Sequence, residues 1–265
     1  MKLLDQGWVD AHSHLSDPRM PDPAGALRAA RAQGIVFFLQ GGVGPEDWSR
    51  QKELARSEPG ILPVFGLHPY WIADHSEAEC EAALDLLARE LPQALALGET
   101  GLDFRPKIVK DSADRQVRCF EAQLEMAEMA KKPVVLHVVR AFDEALRVLD
   151  LFGTRTRGFV HAFTGSAAQA EAYLERGYLI SVGGPLCRPD STRLAQAVAA
   201  IPMESLLVET DSPDQPPPGI AEENNTPETI LRVADRIAEI KRLSRAQVLD
   251  NSRRNLRKLL GIEGD

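Results

Sequence analysis

The sequence predicts an α/β fold: a closed parallel (β/α)8 TIM barrel forming a single domain over residues 1–265, with a C-terminal helix after the eighth unit. Three observations predict it. Eight short β-rich runs alternate with longer stretches in which apolar residues recur at three and four. The runs are nearly continuous in apolar side chains, as strands buried on both faces are. The glycine-rich phosphate loop that an open doubly wound sheet shows after an early strand is missing, since neither GxGxxG nor a Walker A pattern occurs. Barrels of roughly 200 to 250 residues form one unit, so the length asks for no second domain.

In chain order the strand runs are 8–11, 35–39, 62–66, 94–98, 133–137, 158–162, 178–183 and 206–210. The helices between them carry start signals. Ser166 with Gln169 and Ser244 with Gln247 are capping-box patterns, and Thr226 followed by Pro227 puts proline at a first helical position. Val117, Phe120, Leu124 and Ala127 make one apolar helix stripe; Ile230, Val233, Ile237 and Ile240 make another. The final helix is predicted to end near Gly261.

Composition narrows the class of function. The chain is 44% hydrophobic and 26% charged, which excludes low-complexity, collagen-like and disordered readings. A net charge of −8 argues against non-specific binding to a polyanion, because that affinity comes from Lys and Arg displacing counterions. A nucleic-acid substrate stays compatible with it if metal ions supply positive charge locally. Three cysteines, Cys80, Cys119 and Cys187, contain no CxxC pair and are expected to be reduced thiols. Residues 1–10 lack a basic segment followed by an apolar one, and the apolar run 35–39 is far below the roughly 18 residues of a spanning helix. The expectation is a cytoplasmic protein with no membrane association and no obligate protein partner.

In such a barrel the chemistry sits at the C-terminal strand ends. Strand one ends in Asp10-Ala11-His12-Ser13-His14, strand three in Gly66-Leu67-His68-Pro69 and strand four in Gly98-Glu99-Thr100-Gly101. Strand five ends in Leu136-His137, strand six in Val160-His161 and strand eight in Glu209-Thr210-Asp211. Five of the six histidines fall at these ends, and only His75 does not. His12 and His14, two apart on an extended segment, share one face, read as the barrel axis. Neutral imidazole and carboxylate together suit zinc, manganese and similar divalent ions. His12, His14, Glu99, His137, His161 and Asp211 offer six ligands, too many for one tetrahedral ion, so two ions fit better. A two-metal site makes a nucleophilic hydroxide at ordinary pH.

These motifs resemble the ordered signature of the TatD family of metal-dependent hydrolases. The resemblance is carried by Asp10-Ala11-His12-Ser13-His14-Leu15, Gly66-Leu67-His68-Pro69, Gly98-Glu99-Thr100-Gly101-Leu102-Asp103, His137 with Arg140, His161 with Phe163-Thr164-Gly165-Ser166, and Glu209-Thr210-Asp211-Ser212-Pro213. It runs from residue 8 to about residue 260 and includes Asn255 before the Arg257-Lys258-Leu259-Leu260-Gly261 tail. It implies a TIM barrel with a dinuclear metal site, in a family whose members are described as deoxyribonucleases. Carried over by position, His12, His14 and Asp211 would hold the first ion, His137 and His161 the second, and Glu99 would bridge both.

On this reading Asp211 is the candidate general base and later proton donor, acting beside Glu99, while Glu209 is expected to face away from the pocket as a structural residue. His68 is expected to donate to a phosphate oxygen or to the leaving oxygen, and Arg140 to contact a phosphate. Asn225, with Pro227, matches the family's Asn-x-Pro and is taken as a substrate contact. Phe104, Val138-Val139 and segment 214–226 depart from the family pattern and bear on substrate choice. Two divalent ions bring about +4, two carboxylates and a hydroxide remove about three, and the remaining charge of about +1 welcomes a phosphate monoanion. Arg105, Lys107, Lys110 and Arg188, with Tyr70, Trp71, Phe104 and Phe163, are candidates for a short track for a single strand.

The leading expectation is a deoxyribonuclease that cleaves phosphodiester bonds of a single strand or strand end with a metal-activated hydroxide, using two divalent ions (zinc, manganese or magnesium). The alternative is a hydrolase of a small amide, lactone or ester using the same centre. A non-catalytic binding protein with a relict site is a third reading, against which every expected ligand is present. A different phosphoesterase barrel with an early HxH would end in an Asp-x-His pair, and Glu209-Thr210-Asp211 does not fit it.

Overall fold

Pro63 divides the third predicted strand. Proline has no N–H to give to a ladder, and the run 62–66 accordingly forms two short pieces either side of it. In the computed structural model, which describes residues 7–262, the strands are β1 (Trp8–Ser13), β2 (Ile35–Gln40), β3 (Ile61–Leu62), β4 (Val64–Phe65), β5 (Ala96–Asp103), β6 (Val134–Val139), β7 (Gly158–Val160), β8 (Tyr178–Val182) and β9 (Leu206–Val208). The first six residues of the segment read for a leader, and the last three of the expected domain, lie outside the described residues. Every pairing is parallel, in the orders β1-β2-β3 and β4-β5-β6-β7-β8-β9.

The two sheets are two arcs of one ring. Pro63 keeps its carbonyl in use, accepting from Leu95 N (2.8 Å), so β3 and β4 act as one stave. The ring closes between β1 and the end of β9, where Asp211 N donates to His12 O (3.0 Å) and His14 N to Ser212 O (2.7 Å). The result is the eight-stave TIM barrel. β5 outruns its predicted end because Gly101, Leu102 and Asp103 stay in register with His137, Val138 and Val139.

The helices are α1 (Pro23–Ala32), α2 (Pro45–Ser57), α3 (Pro69–Asp74), α4 (Glu77–Glu90), α5 (Pro106–Val109), α6 (Ala113–Ala130), α7 (Phe142–Phe152), α8 (Ala167–Glu175), α9 (Thr192–Ala200), α10 (Ile230–Lys241) and α11 (Arg245–Leu260). Both expected capping boxes form, at the starts of α8 and α11, and a third forms at Ser76 and Glu79. Pro227 opens a single 3-10 turn that leads into α10. α11 stops where Gly261 takes φ 67°, a left-handed conformation that glycine adopts without steric cost. Phe120, Leu124 and Ala127 of α6 and Ile230, Val233 and Ile237 of α10 are buried as the stripes predict. No helix among the described residues is long and apolar enough to cross a membrane.

Alternate strand residues face two cores. Phe38, Phe65, Leu97, Leu136, Val160, Ile180 and Val208 pack outward with the helices. Val9, Ala11, Leu39, Val64, Ala96, Val135, Phe159 and Leu207 fill the barrel's interior, joined by Leu256, Leu259 and Ile262 from the end of α11. The C-terminal helix therefore seals the lower mouth, and polar side chains occupy the upper one.

Candidate active site

Strict alternation would send His12, His14 and Glu99 the wrong way. Val9 and Ala11 face the axis, so a regular strand would turn the even-numbered histidines outward. Between Asp10↔Phe38 and Ser13↔Gln40, β1 advances three residues while β2 advances two. That extra residue resets the face, and His12 and His14 enter the upper mouth. β5 does the same between Leu97↔Val134 and Thr100↔Leu136, which turns Glu99 inward above Ala96. β-bulges commonly re-aim a side chain in this way beside an active site. His137 and His161 need no such device, because Val135 and Phe159 already put their parity on the axis.

Glu99 stands at the centre of what these strands assemble. Its Oε1 lies 3.3 Å from His14 Nε2 and 3.6 Å from His12 Nε2. Its Oε2 lies 2.7 Å from His161 Nε2, 3.6 Å from His137 Nδ1 and 3.8 Å from His68 Nε2. Asp211 Oδ1 approaches His14 Nε2 (3.4 Å) and His12 Nε2 (3.6 Å) from the β9 side. All six expected ligands thus converge, together with His68. His12, His14 and Glu99, then His12, His161 and Asp211, then His68, Glu99 and His137 each present ligand atoms within 4.8 Å of one another.

Charge in the pocket is set by burial working against these contacts. Burial pushes the Glu99 carboxyl up, but His161, His12 and His68 outweigh it and hold it well below the usual carboxylate range. Asp211 is likewise raised by burial and lowered more by its contact with His14 and by His161 and His12, to about 2. The anions in turn draw protons onto two imidazoles. Against burial, Asp211 and Glu99 raise His14 to about 10, and Glu99 raises His161 to about 9. His12 is lowered to about 4 by burial and by His161. Positive charge therefore gathers at two places, one beside each oxygen of Glu99.

The donor set fits divalent cations. Glu99 Oε1 and His12 Nδ1 are buried with no hydrogen-bond partner, a costly state for polar atoms in a dry site. Imidazole nitrogens and carboxylate oxygens crowding at 2.7 to 3.8 Å are the chemistry that zinc or manganese takes up.

Several supporting residues escaped the sequence reading. His137 Nε2 donates to Asp103 Oδ2 (3.1 Å), which leaves Nδ1 turned to the pocket. Asp103 is itself gripped by Arg105, and its backbone N–H donates to Gln116 Oε1 (2.9 Å). Gln215 Nε2 donates to Asp211 Oδ2 (2.6 Å). The motif Gly98-Glu99-Thr100-Gly101-Leu102-Asp103 contained Asp103, but only the pairing of β5 with β6 brings it behind His137.

One expectation is corrected by position, and the surroundings of two others are defined. Glu209 does not face away: Leu207 lies in the lumen, so two residues on Glu209 also points inward, with Oε1 accepting from Ala162 N (2.5 Å) and lying 3.8 Å from His161 Nδ1. Burial raises its carboxyl to about 7. Asn225 is buried, donating to Thr210 O (3.4 Å) and Asp214 O (2.5 Å) and accepting from Thr229 Oγ1 (2.7 Å). Its amide braces the loop after β9. The aromatics of the expected track each have a neighbour within the protein. Phe163 is buried, Phe104 packs on the core, Tyr70 lies under Arg105, and Trp71 is held between His75 and Gly44. Arg140, exposed at the end of β6, stays at the rim.

The family model described as TatD related DNase matches residues 9–261. The chain belongs to the TatD family. It is 31% identical over 236 residues to the uncharacterized metal-dependent hydrolase YjjV of Escherichia coli K12, spanning 89% of this chain and 90% of that protein. It is 33% identical over 245 residues to the 3'-5' ssDNA/RNA exonuclease TatD of Citrobacter rodentium, spanning 88% and 89%. The crystal structure of the TatD homologue YjjV from E. coli K12 superposes with a TM-score of 0.87 at 30% identity, over 97% of this chain and 98% of that one. This TatD-family chain is an enzyme of the metal-dependent hydrolase type.

Proposed function

We propose that the protein is a divalent-metal-dependent phosphodiesterase that shortens single-stranded nucleic acid, DNA in the first place, from an end. The observation that carries the reading is Glu99, whose two oxygens face two separate imidazole groups. The relative from C. rodentium, named for 3'-5' exonuclease action on ssDNA and RNA, supports the substrate class.

His12, His14 and Asp211 would hold one ion at Glu99 Oε1, and His137 and His161 a second at Oε2. Such ions polarise a phosphoryl oxygen and lower the pKa of water in the pocket. Asp211 is an ionised acceptor with Oδ2 fixed by Gln215. It takes the proton of the attacking water and returns it to the leaving oxygen. His68 accepts from Tyr70 N at Nδ1 (3.0 Å), so its proton sits on Nε2, turned into the pocket. Burial, then His137, keeps this imidazole well below its ordinary pKa and hence neutral. It is placed to donate to a phosphoryl or leaving oxygen, and in this structure that Nε2 faces His137 Nδ1 at 3.2 Å.

The test uses protein purified with added manganese, magnesium or zinc, against Glu99→Ala, on single-stranded and duplex DNA, RNA and a panel of chromogenic esters. The expected result is metal-dependent shortening of single strands from one end, abolished in Glu99→Ala. Turnover of an ester or lactone with every phosphodiester left intact would replace this reading with the small-molecule one.

A further inference from the structure

The in-register pair Asp103↔Val139, and the bond from Phe104 N to Val139 O (2.9 Å), bring the ends of β5 and β6 together. Arg105 and Arg140 leave these neighbouring strand ends at the rim. Arg105 is fixed: Nε and Nη2 grip the Asp103 carboxylate at 2.6 to 3.0 Å, and its guanidinium lies 5.1 Å from the centre of the Tyr70 ring. Tyr70 in turn packs on His68 and His137, with ring centres 4.4 and 5.8 Å apart. The grip leaves Arg105 Nη1 without a protein acceptor among the described residues. Arg140 is exposed, takes φ 54°, and has no carboxylate within ion-pair distance among the described residues. Burial and then the charge of Arg140 lower the pKa of Arg105. Asp103, which Arg105 grips, also accepts from His137 Nε2.

An anion with paired oxygens is what two such guanidiniums would bind. We propose that Arg105 and Arg140 form a second phosphate subsite beside the pocket, taking the backbone phosphate next to the one being cleaved in a single-stranded nucleic acid. This rests on the phosphodiesterase reading and narrows it to substrates carrying at least two phosphates. It also fixes the mode of recognition. The rim rings that could stack a base are taken by Arg105, His75 and the core, so the strand is held by its backbone and base sequence is read weakly.

Arg140 is exposed, and Arg140→Ala leaves the packing in place. Its kcat/KM is to be compared with that of the wild type, manganese present, on decathymidylate and on a single-phosphate reporter, thymidine 5'-(p-nitrophenyl phosphate). The expected loss is about tenfold larger on the decamer. A second readout avoids turnover: binding of fluorescein-labelled decathymidylate in EDTA, followed against salt. The slope of log affinity on log salt should become shallower by about 0.7 in Arg140→Ala, one contact on a single strand, and return in Arg140→Lys. Equal losses on the two substrates, or an unchanged salt slope, overturn the subsite. If the wild type cleaves neither phosphodiester, the proposed function has failed on its own account, and the salt slope still decides whether Arg140 meets a phosphate.

Discussion

The two oxygens of Glu99 look onto unequal neighbourhoods. On the Oε2 side two of the three imidazoles have an acid behind them: Asp103 hydrogen-bonds His137 at 3.1 Å, and Glu209 lies 3.8 Å from His161 Nδ1, beyond hydrogen-bond range. On the Oε1 side His12 Nδ1 is buried with no hydrogen-bond partner, as His161 Nδ1 is on the other side. There the backbone does the fixing, through the bonds that close β1 on β9 and through Asp10, whose carboxylate takes Thr210 N (2.9 Å) and Thr210 Oγ1 (2.5 Å). A carboxylate behind an imidazole sets its tautomer and raises its basicity as a ligand. On the proposed reading the His137 position, backed by Asp103, would hold a cation more tightly. The Oε1 half, which contains the proposed general base Asp211, would hold one without that reinforcement.

Removing Glu99 should erase the distinction. In Glu99→Ala both halves lose their shared ligand, and kcat/KM on single-stranded DNA should fall by roughly a thousandfold or more, since several kcal/mol of charge stabilisation go with it. Bound metal per chain, measured by plasma emission after desalting, should fall with it. A Glu99→Ala protein that kept its metal content and its rate would show that the halves are independent and that the carboxylate does not join them.

A smaller effect, confined at first to the Oε1 half, is expected from Gly41→Ala. A Cβ at Gly41 would stand 2.4 Å from His14 Cε1 and 2.7 Å from both His12 Cε1 and Glu99 Oε1. These are impossible separations, so the donors must shift, and a misplacement of about 1 Å costs on the order of a hundredfold in rate. Because this half is held by backbone geometry, no outer acid can restore the alignment. Steady-state kinetics beside a far-UV spectrum checks it; near-wild-type activity would mean that the Oε1 donors have slack.

How much of this was legible in the sequence follows from what each feature depends on. Strand and helix alternation, the capping boxes and the six convergent ligands are local, and the periodicity and the strand-end rule found them. Facing was not local. Apolar residues on both faces of β1 and β5 hide the bulges, so nothing in Val9, Ala11 and His12 shows that all three share the axis side. Glu209 was misplaced although its spacing from Leu207 and from Asp211 is the same two residues that put His12 beside His14. Asp103, Gln215 and Gly41 matter through the strand or loop that lies next to them, and adjacency across the barrel is a property of register. Asn225 carried a motif, and its side chain ties the end of the loop after β9 back to Asp214.

The outer acids give the mildest and most selective break. Asp103→Asn keeps the size of the side chain but removes the charge that holds the His137 Nε2 proton, and the imidazole then has less reason to present Nδ1 to the pocket. Changing such a partner typically costs about 10- to 100-fold in metal affinity or activity. The cost should fall on the tighter class of sites in a manganese titration followed by calorimetry, with the weaker class unmoved, and excess manganese should recover most of the rate. Gly41→Ala should show the opposite pattern, its defect persisting at saturating metal because the donors themselves are displaced. If Asp103→Asn instead weakened both classes equally, the carboxylate behind His137 would be acting on the whole pocket, and the asymmetry between the two oxygens of Glu99 would have no energetic counterpart.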